Sequence, residues 1–412
     1  MDRNTHTPRR AARAWIALAL TAALLSGCTA PLAGSEASPA PVQTPGTVSP
    51  AQPEPTPSPT PAPTEEELRA ARAQELLAGM TLHEKVCQLF LVYPEAIAGS
   101  SPVLSADSAL EQALEQWPVG GFLLDKKNMT DRRQLTELLT GVQTMTQIPL
   151  ILTCDEEGGR VNRLMSTVGT TWVGPMLDYQ DQGTETAFAN ARTIAADLLS
   201  CGFNLDLAPV ADVWSNPENT VIGDRAYSTD FAQAAELVAA AVEGFHAGGA
   251  ACALKHFPGH GNTSADSHYG AVYVERTLAE LRENELLPFQ AGIDAGADLV
   301  MVGHLIVPDL DSAPAPFSYR IVTELLREEM GFTGVVITDG LQMQAMTDHY
   351  TSAEIALNAV QAGVDLLLCP SDLESAVAAL EQAVETGELS PQRLDESVQR
   401  ILELKLRQGL LD

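Results

Sequence analysis

The feature that most constrains this chain is a rhythm of short apolar runs alternating with longer amphipathic stretches. The runs are Leu89–Tyr93, Gly120–Leu124, Leu150–Cys154, Leu205–Val210, Ala251–His256, Leu299–His304, Val335–Asp339 and Leu366–Pro370. Helical patterns lie between them, among them Glu185–Leu199, Ala232–Ala247, Leu278–Ala291 and Ser352–Ala362. A strand apolar on both faces must be covered on both, and strands that alternate with helices pair in parallel. Eight such units within residues 65–412 predict an α/β fold, a (β/α)8 TIM-type barrel forming a single catalytic domain, in preference to an open doubly wound sheet. Two capping boxes, Thr64 with Glu67 and Thr81 with Glu84, predict helix starts ahead of the first strand. A final helix, Pro391–Leu406, is expected to begin at Ser390 with proline in its first turn. No repeat of fixed period is present.

Polar residues interrupt the apolar runs at their C-terminal ends. Asp155 follows the third, Lys255 and His256 close the fifth, His304 the sixth and Asp339 the seventh. In a parallel barrel those ends converge on one mouth, where active sites form. One strand-end aspartate is easily structural, but four polar strand ends are harder to explain as helix caps and core hydrogen bonds.

The N-terminal region has a different character. Positive charge at Arg3, Arg9, Arg10 and Arg13 precedes an apolar run, Trp15 to Leu25, too short to span a bilayer as a mature helix. It ends in Leu25-Ser26-Gly27-Cys28, which resembles a bacterial lipoprotein signal in which the cysteine is acylated. Residues 1–28 are therefore expected to be a signal peptide with Cys28 as the lipidation site. Residues 29–64 are nearly all Pro, Ala, Ser, Thr, Glu, Gln and Gly, with no apolar face to offset the entropy of ordering them. They predict a disordered, extended tether holding the barrel (65–412) off the outer face of a cell membrane. The formal net charge of −30 excludes nucleic acid as a partner, since phosphates need Lys and Arg. Beyond Cys28, Cys87, Cys154, Cys201, Cys252 and Cys369 are widely spaced and mostly sit in apolar runs. They read as buried small hydrophobes, not disulfides or metal ligands.

Four segments go beyond pattern. They are Asp155-Glu156-Glu157-Gly158-Gly159-Arg160-Val161-Asn162-Arg163, Gly223-Asp224-Arg225-Ala226-Tyr227-Ser228, Lys255-His256-Phe257-Pro258-Gly259-His260-Gly261-Asn262-Thr263 running on to Asp266-Ser267-His268, and Ile337-Thr338-Asp339-Gly340-Leu341-Gln342-Met343. Together they resemble the family-three glycoside hydrolases, and within them the single-domain bacterial β-N-acetylhexosaminidases. The resemblance runs over essentially all of residues 65–412. It implies an exo-acting, retaining enzyme that removes terminal β-linked N-acetylglucosamine, with Asp339 as nucleophile, His268 as general acid/base and Asp266 as its partner. It also implies that Asp155, Arg163, Arg225, Lys255 and His256 hold the sugar. The chemistry is coherent by itself. Retention needs a nucleophile below the sugar ring and a proton donor above it. A strand end holds a nucleophile rigidly, and an Asp beside a His fixes its tautomer and favours its protonated form. The usual retaining pair is two carboxylates, so Asp266-Ser267-His268 departs from it. Charged partners strengthen hydrogen bonds to sugar hydroxyls. Arg160 is expected to brace the Asp155 loop, His260 to be structural and His304 to neighbour the site. Asn262, where many relatives have Asp, suggests that its loop is held differently, and Gly340 could widen the pocket floor.

Other readings compete. A metal enzyme built on His256, His260, Asp266 and His268 is disfavoured because Pro258 and Gly259 break the helix that would put the first two on one face. A non-catalytic sugar-binding lipoprotein would share the signal and tether but lack the strand-end nucleophile. A β-glucosidase or β-xylosidase of the same fold commonly adds further domains. Hydrolysis and phosphorolysis stay open. Neither cofactor nor metal is expected; the partners are a carbohydrate with terminal β-GlcNAc and, through the lipid anchor, the membrane, and the barrel is expected to be a monomer.

Overall fold

The computed structural model describes residues 63–263 and 270–411. Cys28, the tether up to residue 62, Asp266 and His268 lie outside the described residues. Helix Glu65–Ala78 opens the described chain, and both capping boxes form with Thr64 and Thr81 as N-caps. No described helix is long and apolar enough to cross a membrane.

All eight expected runs become strands, seven of them trimmed and the fifth one residue longer: Phe90–Val92, Gly121–Leu123, Ile151–Cys154, Leu205–Asp206, Ala251–Phe257, Leu299–Val302, Val335–Thr338 and Leu367–Leu368. They are called β1 to β8 below. Every neighbouring pair is parallel, and β8 lies beside β1 in the register Phe90↔Leu367. The ring closes between β7 and β8 through the parallel bridge Ile337↔Leu366, where Thr338 N–H donates to the Leu366 carbonyl at 3.0 Å. The sequence expectation of a (β/α)8 barrel therefore holds. Backbone hydrogen bonds continue past several of these strand ends, as from Leu124 N–H to the Thr153 carbonyl and from Leu207 N–H to the Cys154 carbonyl. At the closing seam Thr338 Oγ1 also accepts the Leu368 N–H at 3.0 Å. The strand residues are buried throughout, and one apolar cluster joins them to the inner faces of the surrounding helices.

Helix Ser352–Ala362 matches its expected span, and Thr184–Cys201, Phe231–Gly248 and Pro391–Arg407 exceed theirs by one to three residues. One expectation fails. The stretch Leu278–Ala291 is two helices, Leu278–Glu283 and Leu286–Asp294, broken at Asn284. Pro288 is the cause, because a proline can neither donate to the carbonyl four residues back, that of Asn284, nor fit its ring beside it. A small parallel pair, Val272–Tyr273 with Leu305–Ile306, sits beyond the barrel and joins the segments that follow β5 and β6. All five described cysteines are free and buried, as the sequence indicated.

Candidate active site at the barrel mouth

Asp339 sits one residue beyond β7. Its N–H donates to the Val302 carbonyl at 3.0 Å, and its Oδ1 accepts the Gly340 N–H at 2.7 Å. Burial alone would push this carboxyl up. His256, His304, the Gly340 N–H and Lys255 outweigh burial and hold it at about 2, so the group is an anion at neutral pH. His304 also fixes the turn, with Nε2 donating to the Gly340 carbonyl at 2.9 Å. The room left by Gly340 is already used, since an added Cβ would stand 3.2 Å from Gln342 Oε1.

On the β3, β4 and β5 side the charged groups form a continuous chain. Arg225 grips Glu157 with two hydrogen bonds of 2.8 Å. Glu157 reaches Lys255 Nζ at 2.7 Å, and Lys255 reaches Asp155 at 2.8 Å. Asp155 meets Arg163 at 3.3 Å, and Arg163 Nε meets Asp125 at 2.8 Å. Lys255 is 2 % exposed, a burial that disfavours its charge. The two carboxylates beside it reverse that effect and raise its pKa. Burial likewise works against the Glu157 anion, and Arg225 and Lys255 overcome it, leaving its pKa far below the usual carboxylate range. Asp155 and Arg163 remain part-exposed to meet a solute.

The flanking loops are stapled together. Arg160 pairs with Asp224 at 2.7 Å and donates to the carbonyls of Thr220, Val221 and Ile222, holding the loop that carries Arg225. This is the bracing role expected of it, although its target is the loop after β4. Asn219 Nδ2 donates to the His260 carbonyl at 2.8 Å, and Asn262 Nδ2 donates to Ser215 Oγ at 3.1 Å. Gly261 is required where these loops cross, because a Cβ there would lie 1.8 Å from the Val213 carbonyl oxygen. His260 is buried with Nδ1 against Thr263 Oγ1 at 2.7 Å, consistent with a structural role. The Lys255–His256 peptide is cis.

Of the expected site residues, the structure brings Asp155, Arg163, Arg225, Lys255, His256 and Asp339 to one mouth. Asp266 and His268 fall in the undescribed segment of the loop after β5. Sequence reasoning missed Glu157, Asp125 and Asp212 as partners. A charge count would have found the first two, because Lys255 on β5 and Arg163 and Arg225 in the neighbouring loops demand more than the single anion Asp155. Asp212 had its own signal, an aspartate inside the apolar run Leu207–Val213.

A closed parallel barrel whose mouth gathers an ionised strand-end carboxylate and a wall of paired charges has the architecture of a barrel enzyme with a polar site. The sequence matches the glycosyl hydrolase family 3 N-terminal domain over residues 81–404, and the chain belongs to that family. It is 34% identical over 328 residues to beta-hexosaminidase A of Pseudoalteromonas piscicida, an alignment spanning 72% of this chain and 55% of that protein. The beta-hexosaminidase of Nitrosomonas eutropha is 34% identical over 299 residues, 69% of this chain and 85% of the relative. Among solved structures, a family 3 beta-N-acetylglucosaminidase from Paenibacillus sp. str. FPU-7 superimposes with a TM-score of 0.76 at 36% identity. That match covers 81% of this chain and 63% of the Paenibacillus chain. This chain thus spans little more than half of some relatives and most of others.

Proposed function

We propose that the protein is an exo-acting, retaining β-N-acetylglucosaminidase that removes terminal β-linked N-acetylhexosamine from glycans, cell-wall fragments among them. The observation that carries this reading is Asp339, an anion rigidly held at a strand end opposite an ion-paired wall suited to sugar hydroxyls. The names of the relatives support the choice of sugar. In this reading an Asp339 carboxylate oxygen attacks the anomeric carbon as the glycosidic C–O bond breaks. The imidazolium of His268 protonates the departing oxygen. Water then attacks the same carbon from the opposite face, giving its proton to His268 and releasing the Asp339 carboxylate. Asp155, Arg163, Arg225, Lys255 and His256 orient the ring, and Asp266 orients His268. A low pKa suits Asp339 twice, since the group must be ionised to attack and stable enough to leave.

A slow fluorinated GlcNAc-type substrate should add one sugar mass to the peptide containing Asp339. Labelling of another carboxylate, or inversion at the anomeric carbon seen by NMR, would overturn the assignment. We further infer that Cys28 is acylated and that residues 29–64 tether the barrel to the outer face of a membrane. Cys28→Ala should move the protein out of the membrane fraction with its activity intact, and retention of that variant after a carbonate wash would contradict the anchor.

A further inference from the structure

We propose that Asp212 is a positioning residue that acts through His256, holding the proton on Nδ1 so that the imidazole presents Nε2 to the sugar beside Asp339. The proposal rests on the reading of His256 as part of the sugar-holding wall. The Asp266 and His268 pair was the Asp–His couple legible in the sequence; the described residues contain a second one, between different strands. The bridge Val210↔Lys255 and the hydrogen bond from Ala211 N–H to the Lys255 carbonyl, 2.7 Å, carry the chain past the end of β4 alongside β5. Asp212 follows directly and is 1 % exposed.

Three donors converge on its two oxygens. Oδ2 accepts the His256 N–H at 3.1 Å and meets His256 Nδ1 at 2.6 Å, while Oδ1 accepts the His260 N–H at 2.6 Å. The two backbone N–H groups can only donate, so both oxygens must accept, and a deprotonated carboxylate is the side chain that satisfies them. Burial disfavours that anion, but His256 and the His260 N–H more than compensate and lower its pKa. An ionised Asp212 in turn can bond Nδ1 only if Nδ1 carries its proton. Nε2 then remains as the edge of the ring that Asp212 does not engage. Fixing one ring nitrogen by a buried carboxylate is how a functional histidine is given a single tautomer and a single orientation.

An Asn at this position would fail specifically. Its single oxygen can serve one side of the cluster, while its NH2 must face a donor on the other. If the NH2 faces His256, Nδ1 can escape the clash by giving up its proton and accepting, and the proton moves to Nε2. The ring would then present the wrong hydrogen-bonding character to the sugar.

The test combines a spectroscopic and a kinetic measurement on the full chain. With ring-15N histidine, the His256 resonances, assigned by their loss in His256→Gln, should show a proton on Nδ1 in the wild type. A wild-type ring protonated at Nε2 alone would overturn the proposal, whatever any variant does. In the kinetic arm, Asp212→Asn should lower kcat/KM on an aryl N-acetylglucosaminide by about 10–100-fold, the size usual for the partner that orients a functional histidine. The same change made in a His256→Gln background should cost less than about threefold, because coupled residues are non-additive. Equal losses in both backgrounds would mean that Asp212 only anchors the His260 loop, which refutes the proposal. The failures are distinguishable. A wild type that cleaves no N-acetylglucosaminide sinks the proposed function, and the ring spectrum still decides the tautomer.

Discussion

The two ends of the barrel handle charge in opposite ways. At the C-terminal mouth, cations and anions alternate, Arg225, Glu157, Lys255, Asp155, Arg163 and Asp125, so that each charge is neutralised by a neighbour. At the N-terminal base the ratios are uneven. Asp365, just before β8, is surrounded by Arg327, Arg393 and Arg400. Lys405 is fully buried with one amide oxygen, Gln88 Oε1, at 2.7 Å. A cavity of about 690 Å³ also opens at that end, lined by Met80, His83, Gln88, Val119 and Ile148, which lie ahead of β1, β2 and β3. The base residues come largely from the last helix and tie it to the barrel floor, whereas the mouth residues come from strand ends and the loops that follow them and leave part-exposed atoms facing solvent. The contrast teaches that buried charge here serves two tasks, and substitutions should separate them.

The largest effect is expected at Asp339. Asp339→Asn keeps the shape and the Gly340 hydrogen bond but removes the proposed nucleophile, so kcat/KM should fall on the order of 10⁴-fold with little change in melting temperature. A loss below about tenfold would break the assignment of the mouth as the site of chemistry. Next comes Glu157→Gln, which leaves Arg225 and Lys255 buried with one anion fewer. Losing one partner of a buried ion pair costs about 3–5 kcal/mol. Both stability, measured by urea unfolding, and kcat/KM should drop, because the same ions hold Lys255 and Arg225 in place. The base should behave differently. Asp365→Asn strands three guanidinium groups, so stability should fall by about 3 kcal/mol while KM and kcat stay within twofold. The three arginines overcome the burial that opposes its charge and lower its pKa. The stability from Asp365 is therefore present above the usual carboxylate pKa and disappears as pH falls through its own lower one. A change in KM would show that the base communicates with the mouth.

Much of the barrel was legible because its signal is local and redundant. Each strand announces itself by burial on both faces, and Thr64, Thr81 and Ser390 announce helix starts through side chains only three residues from their targets. The break at Asn284 was also local, written in Pro288, but the apolar periodicity masked it. The site was legible at its strand-end residues and not at their partners. Glu157 and Asp212 act across 98 and 44 residues of sequence, on Lys255 and His256, and no short-range pattern reports such pairings. The pair Val272–Tyr273 with Leu305–Ile306 was missed for a similar reason, since two-residue strands carry no periodicity.

The smallest effect, and the one with the clearest sign, is expected at Lys405. Desolvation drops its pKa to about 7 from the ordinary 10.5, because Gln88 offers a dipole where an ammonium needs an anion. Above pH 10.5 the lysine is neutral in both the folded and the unfolded chain and costs nothing by titration. As pH falls from there toward 7, the unfolded chain takes up a proton that the folded protein refuses, so stability declines across that window and levels off below it. Lys405→Met removes the titration and fills a similar volume with apolar atoms. It also leaves Gln88 Oε1 without its donor, which costs about 1–3 kcal/mol and cancels much of the gain. The net expectation at pH 6 is a variant more stable by about 1 kcal/mol, whose stability between pH 7 and pH 9 has lost the upward slope of the wild type. Activity should be unchanged, since Lys405 is at the base. Chemical unfolding at several pH values reads both quantities, and a variant less stable at pH 6 with the slope intact would mean that the buried ammonium has an anionic partner and that the base resembles the mouth after all.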